Sequence, residues 1–406
     1  MIRPLIPLAA FVSSLTAIAA TSLPAAPAHA DAFTPPRVGW WGGQAVSLCG
    51  AADPTSCPRD TSAYTPAVWD AMVAGHGFLD YDVEYHSDFG PAMAGVNQRT
   101  DAIPVVREAN ARNVPINAWI TVPLAYGTFA NENNAVEIQH AVQDFAAWAQ
   151  DNSLHFGQAI LDLEFPAGYQ PIYQAAMAAG NPAGLQSLLQ GNFDPSHQCA
   201  AAATYAATIM WAHQHGLTLS GTPILFALDD LEHNGSVALQ DGLDMAPMPP
   251  SGYDTLYLQA YRAFTVDLGS GLVAAYYREM QSHFGAKGQV SLGNTGMNPY
   301  TTTGPLVADI RMLAAMGASE IPIFDFDSTI KNWGAAGIAQ ILDAANHPMS
   351  PVELATAEQM SPTGTAARAM FATLDDVATA ATPLATLATG HPQRPNAYPG
   401  GCTSGR

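Results

Sequence analysis

Apolar residues recur at every second position in eight short stretches of the chain, and between these stretches they recur at helical spacing. The eight are "RVGWWGG" (37 to 43), "GFLDYDVEY" (77 to 85), "PINAWITV" (115 to 122), "GQAILDLEF" (157 to 165), "LSGTPILFALD" (219 to 229), "DTLYLQAY" (254 to 261), "GQVSLGN" (288 to 294) and "SEIPIFDFD" (319 to 327). Period-two alternation predicts strands, and segments such as "AVEIQHAVQDFAAWAQ" (135 to 150), "CAAAATYAATIMWAHQH" (199 to 215) and "GPLVADIRMLAAMG" (304 to 317) predict amphipathic helices. Eight strand-helix units predict an α/β protein with a (β/α)8 TIM barrel, loop insertions and a C-terminal extension. A doubly wound open sheet is the rival arrangement of the same units. The barrel is expected to span residues 31 to 350, with an insertion of about thirty residues after the fourth strand. Residues 351 to 406 then form an Ala-, Thr- and Pro-rich helix and tail, the helix over 351 to 377.

The first thirty residues break the pattern. Arg3, an apolar run and Ala28-His29-Ala30 before Asp31 have the form of a cleavable secretory signal, with an uncleaved membrane anchor as the alternative. No later stretch is long and apolar enough to span a bilayer. A secreted, extracellular or cell-envelope protein is therefore expected, with no membrane association after signal removal. The four cysteines fit two disulfides; proximity favours Cys49 with Cys57, leaving Cys199 for Cys402, although three pairings are open.

The formal charge is −20, and Lys287 and Lys331 are the only lysines. Nucleic acid and anionic lipid need clustered Lys and Arg, so neither is expected as a partner. A monomer is expected.

Strand alternation also sorts the acidic residues. In the second strand Leu79, Tyr81, Val83 and Tyr85 share one face and Asp80, Asp82 and Glu84 the other; in the fourth, Leu161, Leu163 and Phe165 oppose Ile160, Asp162 and Glu164. The third strand sets Asn117, Trp119 and Thr121 against Ile116, Ala118 and Ile120. The sixth sets Tyr257, Gln259 and Tyr261 against Leu256, Leu258 and Ala260. The eighth sets Ile323, Asp325 and Asp327 against Phe324 and Phe326. The polar face gathers toward the C-terminal end, where barrel enzymes keep their sites. A single strand-end acid more often caps a helix or pairs with Arg. Six inward acids with few nearby cations raise one another's proton affinity instead, and a protonated carboxyl beside an ionised one is what glycosidic cleavage requires.

These residues resemble a barrel glycoside hydrolase with an Asp-x-Glu motif on strand 4. Family 18 chitinases carry D-x-x-D-x-D-x-E there, the last Glu protonating the glycosidic oxygen and the preceding Asp orienting the substrate's N-acetyl group. Here "ILDLE" supplies Asp162 and Glu164, while Gly157 and Ile160 replace the earlier acids. The family's strand 6 M-x-Y-D is matched by "QAYR", which keeps Tyr261 but has Gln259 and Arg262. "GQVSLGNTG" and "GASEIPIFDFD" are similar to its strands 7 and 8, without the usual strand 8 Trp. Family 25 lysozymes end strand 4 in a similar D-x-E, so "AILDLEFP" resembles them too.

The resemblance, over residues 35 to 345, implies Glu164 as general acid, Asp162 as its partner, and Tyr261 and Gln259 as substrate-binding. Glu84 or Asp327 is the expected nucleophile or base where the acetamido mechanism is lost. Trp119, Trp41, Trp40 and Tyr126 are candidate sugar platforms against a default of core or rim packing, with Asp82, Asp325 and Asn117 completing the substrate-binding set. The expected partner is an oligo- or polysaccharide, and no cofactor or metal is expected.

Two other readings stay open. Clustered acids with Asn suit a Ca2+- or Mg2+-dependent hydrolase, and the lost signature acids suit a non-catalytic carbohydrate-binding protein. Zinc chemistry lacks a ligand pair, His86 and His233 being isolated and expected in surface loops. Nucleophile-elbow, phosphate-loop and dinucleotide motifs are absent.

Overall fold

The computed structural model describes residues 33–43, 61–84, 98–179, 189, 192–233, 237–248, 252–263 and 266–389. The expected signal segment, Tyr85, His86, the C-terminal tail and three of the four cysteines lie outside them. Cys199 is disulfide-bonded, and the other cysteines, Cys49, Cys57 and Cys402, are among the residues not described.

Eight parallel strands close into a barrel in chain order, β8 pairing with β1. They are β1 Arg37–Gly42, β2 Phe78–Asp82, β3 Ile116–Ile120, β4 Ala159–Leu163, β5 Leu219–Pro223, β6 Leu256–Gln259, β7 Gly288–Gly293 and β8 Glu320–Phe324. The helices are α1 Pro66–Ala74, α2 Gln98–Ala111, α3 Ala135–Asp151, α4 Gln170–Ala179, α5 Pro195–Gln214, α6 Leu225–His233, α7 Ala238–Gly242, α8 Ser270–Phe284, α9 Thr303–Met316, α10 Phe326–Ala344, α11 Pro351–Ala357 and α12 Pro362–Thr389. The doubly wound alternative is excluded by the β1–β8 pairing.

Alternation does what the sequence pattern predicts on most strands. Leu79 and Tyr81, Ile116 and Ala118, Leu161 and Leu163, and Leu256 and Leu258 point outward into the layer under the helices. Each fully buried Leu or Ile there contributes about 1.5–3 kcal/mol. Inside the barrel, Trp41, Trp119, Phe129, Ile160 and Ala167 form a separate apolar plug against Phe324. Side chains, not solvent, fill this part of the interior, as barrel layers require.

Two strands depart from expectation. The apolar run 219 to 229 is not one strand, because β5 stops at Pro223 and α6 begins at Leu225. A short apolar run carries no sign of that switch, since both elements are buried here. The second departure is the parity of β8. Phe324 faces the interior plug while Ile321 and Ile323 lie in the outer layer, the reverse of the expected assignment. The strand also ends at Phe324, and Asp325 is the N-cap of α10.

The expected single helix over 351 to 377 is two. Ser361 intervenes, its Oγ accepting from Gly364 N–H at 2.9 Å, and Pro362 begins α12. Ser before Pro is a helix start, and it re-aims the chain. The turned helix packs against α6, α7 and α8, burying Phe371, Leu374 and Ala378.

Candidate active site at the barrel mouth

Asp162 is the fourth residue of β4 and Glu164 lies just past its end, so both side chains point inward at the C-terminal mouth. Both are buried, at 6% and 5% exposure. Gln259, the last residue of β6, reaches across β5 to bridge them. Its Nε2 donates to Asp162 Oδ1 at 2.7 Å and to Glu164 Oε1 at 2.8 Å. Gln170 Nε2, at the start of α4, donates to Glu164 Oε2 at 3.0 Å. Among the described residues no ion pair reaches either carboxyl; their partners are amides.

The electrostatics follow from that arrangement. Burial, then Glu164 and Asp82 nearby, push the Asp162 carboxyl well above the usual range. Burial lifts Glu164 to about 7, against the opposing hydrogen bonds from Gln259 and Gln170. Two carboxyls this close in a dry site share a proton near neutrality, because ionising both would leave adjacent charges with no cation.

Around the pair stands a wall of rings. Tyr261 follows Gln259 by two residues, stacks on Phe324 with ring centroids 6.1 Å apart, and hydrogen-bonds Ser291. Burial and the neighbouring Asp162 hold its phenol strongly protonated. Trp41 Nε1 donates to Ser291 Oγ at 3.3 Å, and Trp41 meets Trp119 edge-on at 5.3 Å. Both Trp side chains are fully packed, at 2% exposure. Trp40 does not reach the mouth; it faces outward against Phe326. Tyr126, in the loop after β3, is exposed.

The deeper acids are engaged below the pair. Asp80 accepts from Asn117 Nδ2 at 2.7 Å, and Asp82 from Thr121 Oγ1 at 2.8 Å. Burial raises the Asp80 carboxyl well above its ordinary value. Glu84, two residues past β2, is also buried.

The expectation that Asp325 and Asp327 project inward from the eighth strand is corrected. Asp325 Oδ1 accepts from Ser328 N–H at 2.6 Å as a helix cap, and its burial lifts it to about 6. Asp327 accepts from Gly43 N–H at 3.0 Å and Tyr64 O–H at 2.9 Å, tying the end of β1 to α10. Gly43 takes φ of +65°, where any Cβ would run into the Tyr81 ring. The cause is the inverted parity of β8 together with its early end: at Asp325 the chain is already entering a helix.

Sequence reasoning missed Gln170 and Ser291. Gln170 sat in what was read as an insertion, and its signal was its place six residues after Glu164 in a segment that starts a helix. Ser291 alternates inward with Gln289 in "GQVSLGN", a signal legible from parity alone. His233 is exposed and pairs with Asp376 at 2.9 Å. Among the described residues no group of three or more His, Cys, Asp or Glu side chains is placed to hold a metal ion.

No protein-family model matches the sequence, and the search of curated proteins gave no match. Among solved structures, the chain is similar to the catalytic domain of a family GH18 chitinase from the fern Peteris ryukyuensis, with a TM-score of 0.42 and 12% identity over 76% of this chain and 99% of that one. It is similar to a GH5-4 broad-specificity endoglucanase from Clostridum cellulovorans, with a TM-score of 0.45 and 12% identity over 77% and 93%. A D-allulose 3-epimerase from Methylomonas sp. matches with a TM-score of 0.38 and 9% identity over 76% and 96%. At these identities and scores the likenesses select no activity. The closed barrel itself is established by the strand pairing.

Proposed function

We propose that this chain is a glycoside hydrolase exported from the cell, acting as a monomer on a cell-wall or extracellular polysaccharide. The carrying observation is the Asp162–Glu164 pair, buried at the barrel mouth, bridged by one amide and met by no cation among the described residues. Such a pair keeps one proton near neutral pH, and Glu164, at about 7, is poised to give it to a leaving oxygen. Asp162, held by the Gln259 amide, faces the developing positive charge of the sugar ring in this reading. Asp327 is held by Gly43 and Tyr64, so the nucleophile in this reading is the substrate's own acetamido group, oriented by Asp162 and Tyr261. Glu84 is the base if the substrate lacks that group. The leader-like first thirty residues support export in this reading.

A non-catalytic carbohydrate-binding protein is the second reading, favoured by Gly157 and Ile160 at the upstream signature positions, Ile160 being part of the interior plug. Reducing-sugar release by the mature protein on chitin oligomers, peptidoglycan, arabinogalactan and glucans, with Glu164→Gln alongside, separates the two. Turnover that the substitution removes is expected, strongest on the acetamido polymers. Retained binding without turnover by the unsubstituted protein on every polymer would establish the binder instead.

A further inference from the structure

Two segments remote in sequence converge on the backbone of Glu164, and a third, close in sequence, reaches its side chain. Its N–H donates to Ala130 C=O at 3.1 Å, in the loop after β3, and its C=O accepts from Ala246 N–H at 3.2 Å, in the segment after α7. Those two segments bind each other as well, since Glu132 N–H donates to Asp244 C=O at 2.9 Å. The third is the turn that leads to Gln170, the donor to Glu164 Oε2.

Asp244 joins all three. Its Oδ2 accepts from Asn133 Nδ2 at 2.9 Å and from Tyr169 O–H at 2.7 Å. Tyr169 in turn accepts from Asn192 Nδ2 at 3.1 Å, which orients its hydroxyl proton toward Asp244. Asp244 is 7% exposed and has φ of +52°, a left-handed conformation uncommon for a residue with a side chain. A backbone held there against its preference, with three hydrogen bonds closing around it, is over-determined by its surroundings.

We infer that Asp244 is a positioning residue that sets where the Glu164 carboxyl sits, acting through Tyr169 and the adjoining Gln170. The Tyr169 ring, anchored at its hydroxyl, fixes the turn from which Gln170 reaches the carboxyl. The catalytic meaning of this clasp rests on the glycosidase reading, but its existence does not. The charged and titratable groups involved are Asp162, Tyr173 and Tyr261 facing Glu164, and Glu132, Asp241 and His197 facing Asp244.

The test reads the Glu164 titration directly, by 13C NMR of glutamate-labelled full-length protein with Glu164→Gln identifying the resonance. Gln170→Met removes a donor to the ionised carboxyl at similar volume and is expected to move the midpoint up by about 0.5 pH unit or more. Tyr169→Phe and Asp244→Asn are expected to move it the same way by a smaller amount. Asp241→Asn, the same substitution at a neighbouring buried carboxyl that leaves the Tyr169 link intact, is expected to leave it in place. No movement or a fall in Tyr169→Phe, an unmoved Gln170→Met, or an equal shift in Asp241→Asn overturns the inference. On a responsive polymer the first three variants should lower kcat by about threefold or more with KM unchanged. A wild-type protein silent on every polymer removes the glycosidase reading while the titration still decides the clasp.

Discussion

Two sets of buried carboxylates in this molecule follow opposite rules. On the flank formed by β6, α6, α8, α9 and α12, Asp309 and Asp229 meet guanidinium groups. Arg262 Nε lies 2.7 Å from Asp309, and Arg368 lies 3.1 Å from Asp229 and 2.9 Å from Glu279. At the mouth, the donors that Asp162 and Glu164 meet among the described residues are amides. An arginine partner stabilises the ionised acid and makes it a fixed part of the scaffold. An amide holds the geometry and leaves the proton free to come and go. Burial by itself marks neither role; the charge of the partner divides them.

Breaking the comparison at the mouth has the largest expected effect. Glu164→Gln is expected to cut turnover by about 1000-fold or more while leaving the urea unfolding midpoint close to that of the parent. Arg262→Met reverses the pattern. It strands the fully buried Asp309 carboxyl, and urea denaturation is expected to show a loss of about 3–5 kcal/mol, with activity retained by the folded fraction.

The pH dependence of stability cuts across this contrast, because burial raises carboxyls on both sides of it. Folding lifts Glu164 from 4.5 to about 7, Asp229 and Asp241 from 3.8 to about 7, and Asp325 from 3.8 to about 6. Each binds its proton more tightly folded than unfolded. Their stabilisation is therefore full below about pH 4 and is lost as pH rises through 6 to 7, by up to about 1.4 kcal/mol per pH unit for each group. Calorimetry from pH 4 to 8 should show Tm falling, and Glu164→Gln should flatten part of the fall. The smallest change expected is Thr121→Val, which takes one donor from Asp82. It should cost about 1 kcal/mol in urea and leave turnover almost untouched.

Much of this was legible in the sequence, and the limits have physical causes. Period two is robust on β2, β3, β4 and β6, where one face is apolar throughout and the other turns polar toward the C-terminal end. It correctly put Asp82, Asp162, Glu164, Gln259 and Tyr261 on the interior side. The rule fails where both faces are apolar, as at β8, where Pro322 and Phe324 face inward and "DFD" mimics one more turn of the alternation. It also fails at "ILFALD", where a buried helix and a buried strand have the same composition. What alternation does not reveal is the second donor to Glu164. Gln170 depends on a turn whose shape is set by Asp244, some 75 residues away in the chain.

The docking of α12 also has a consequence for how the chain is made. Phe371, Leu374 and Ala378 cover α6 and α7, and the Asp375 side chain hydrogen-bonds Asp230. A chain emerging from its N-terminus completes all eight strands by Phe324 yet keeps that flank bare for some fifty residues of further elongation. Barrel closure and flank closure are thus separated in time, and an apolar strip stays open to chaperones, or to other unfinished chains, until the last helix arrives.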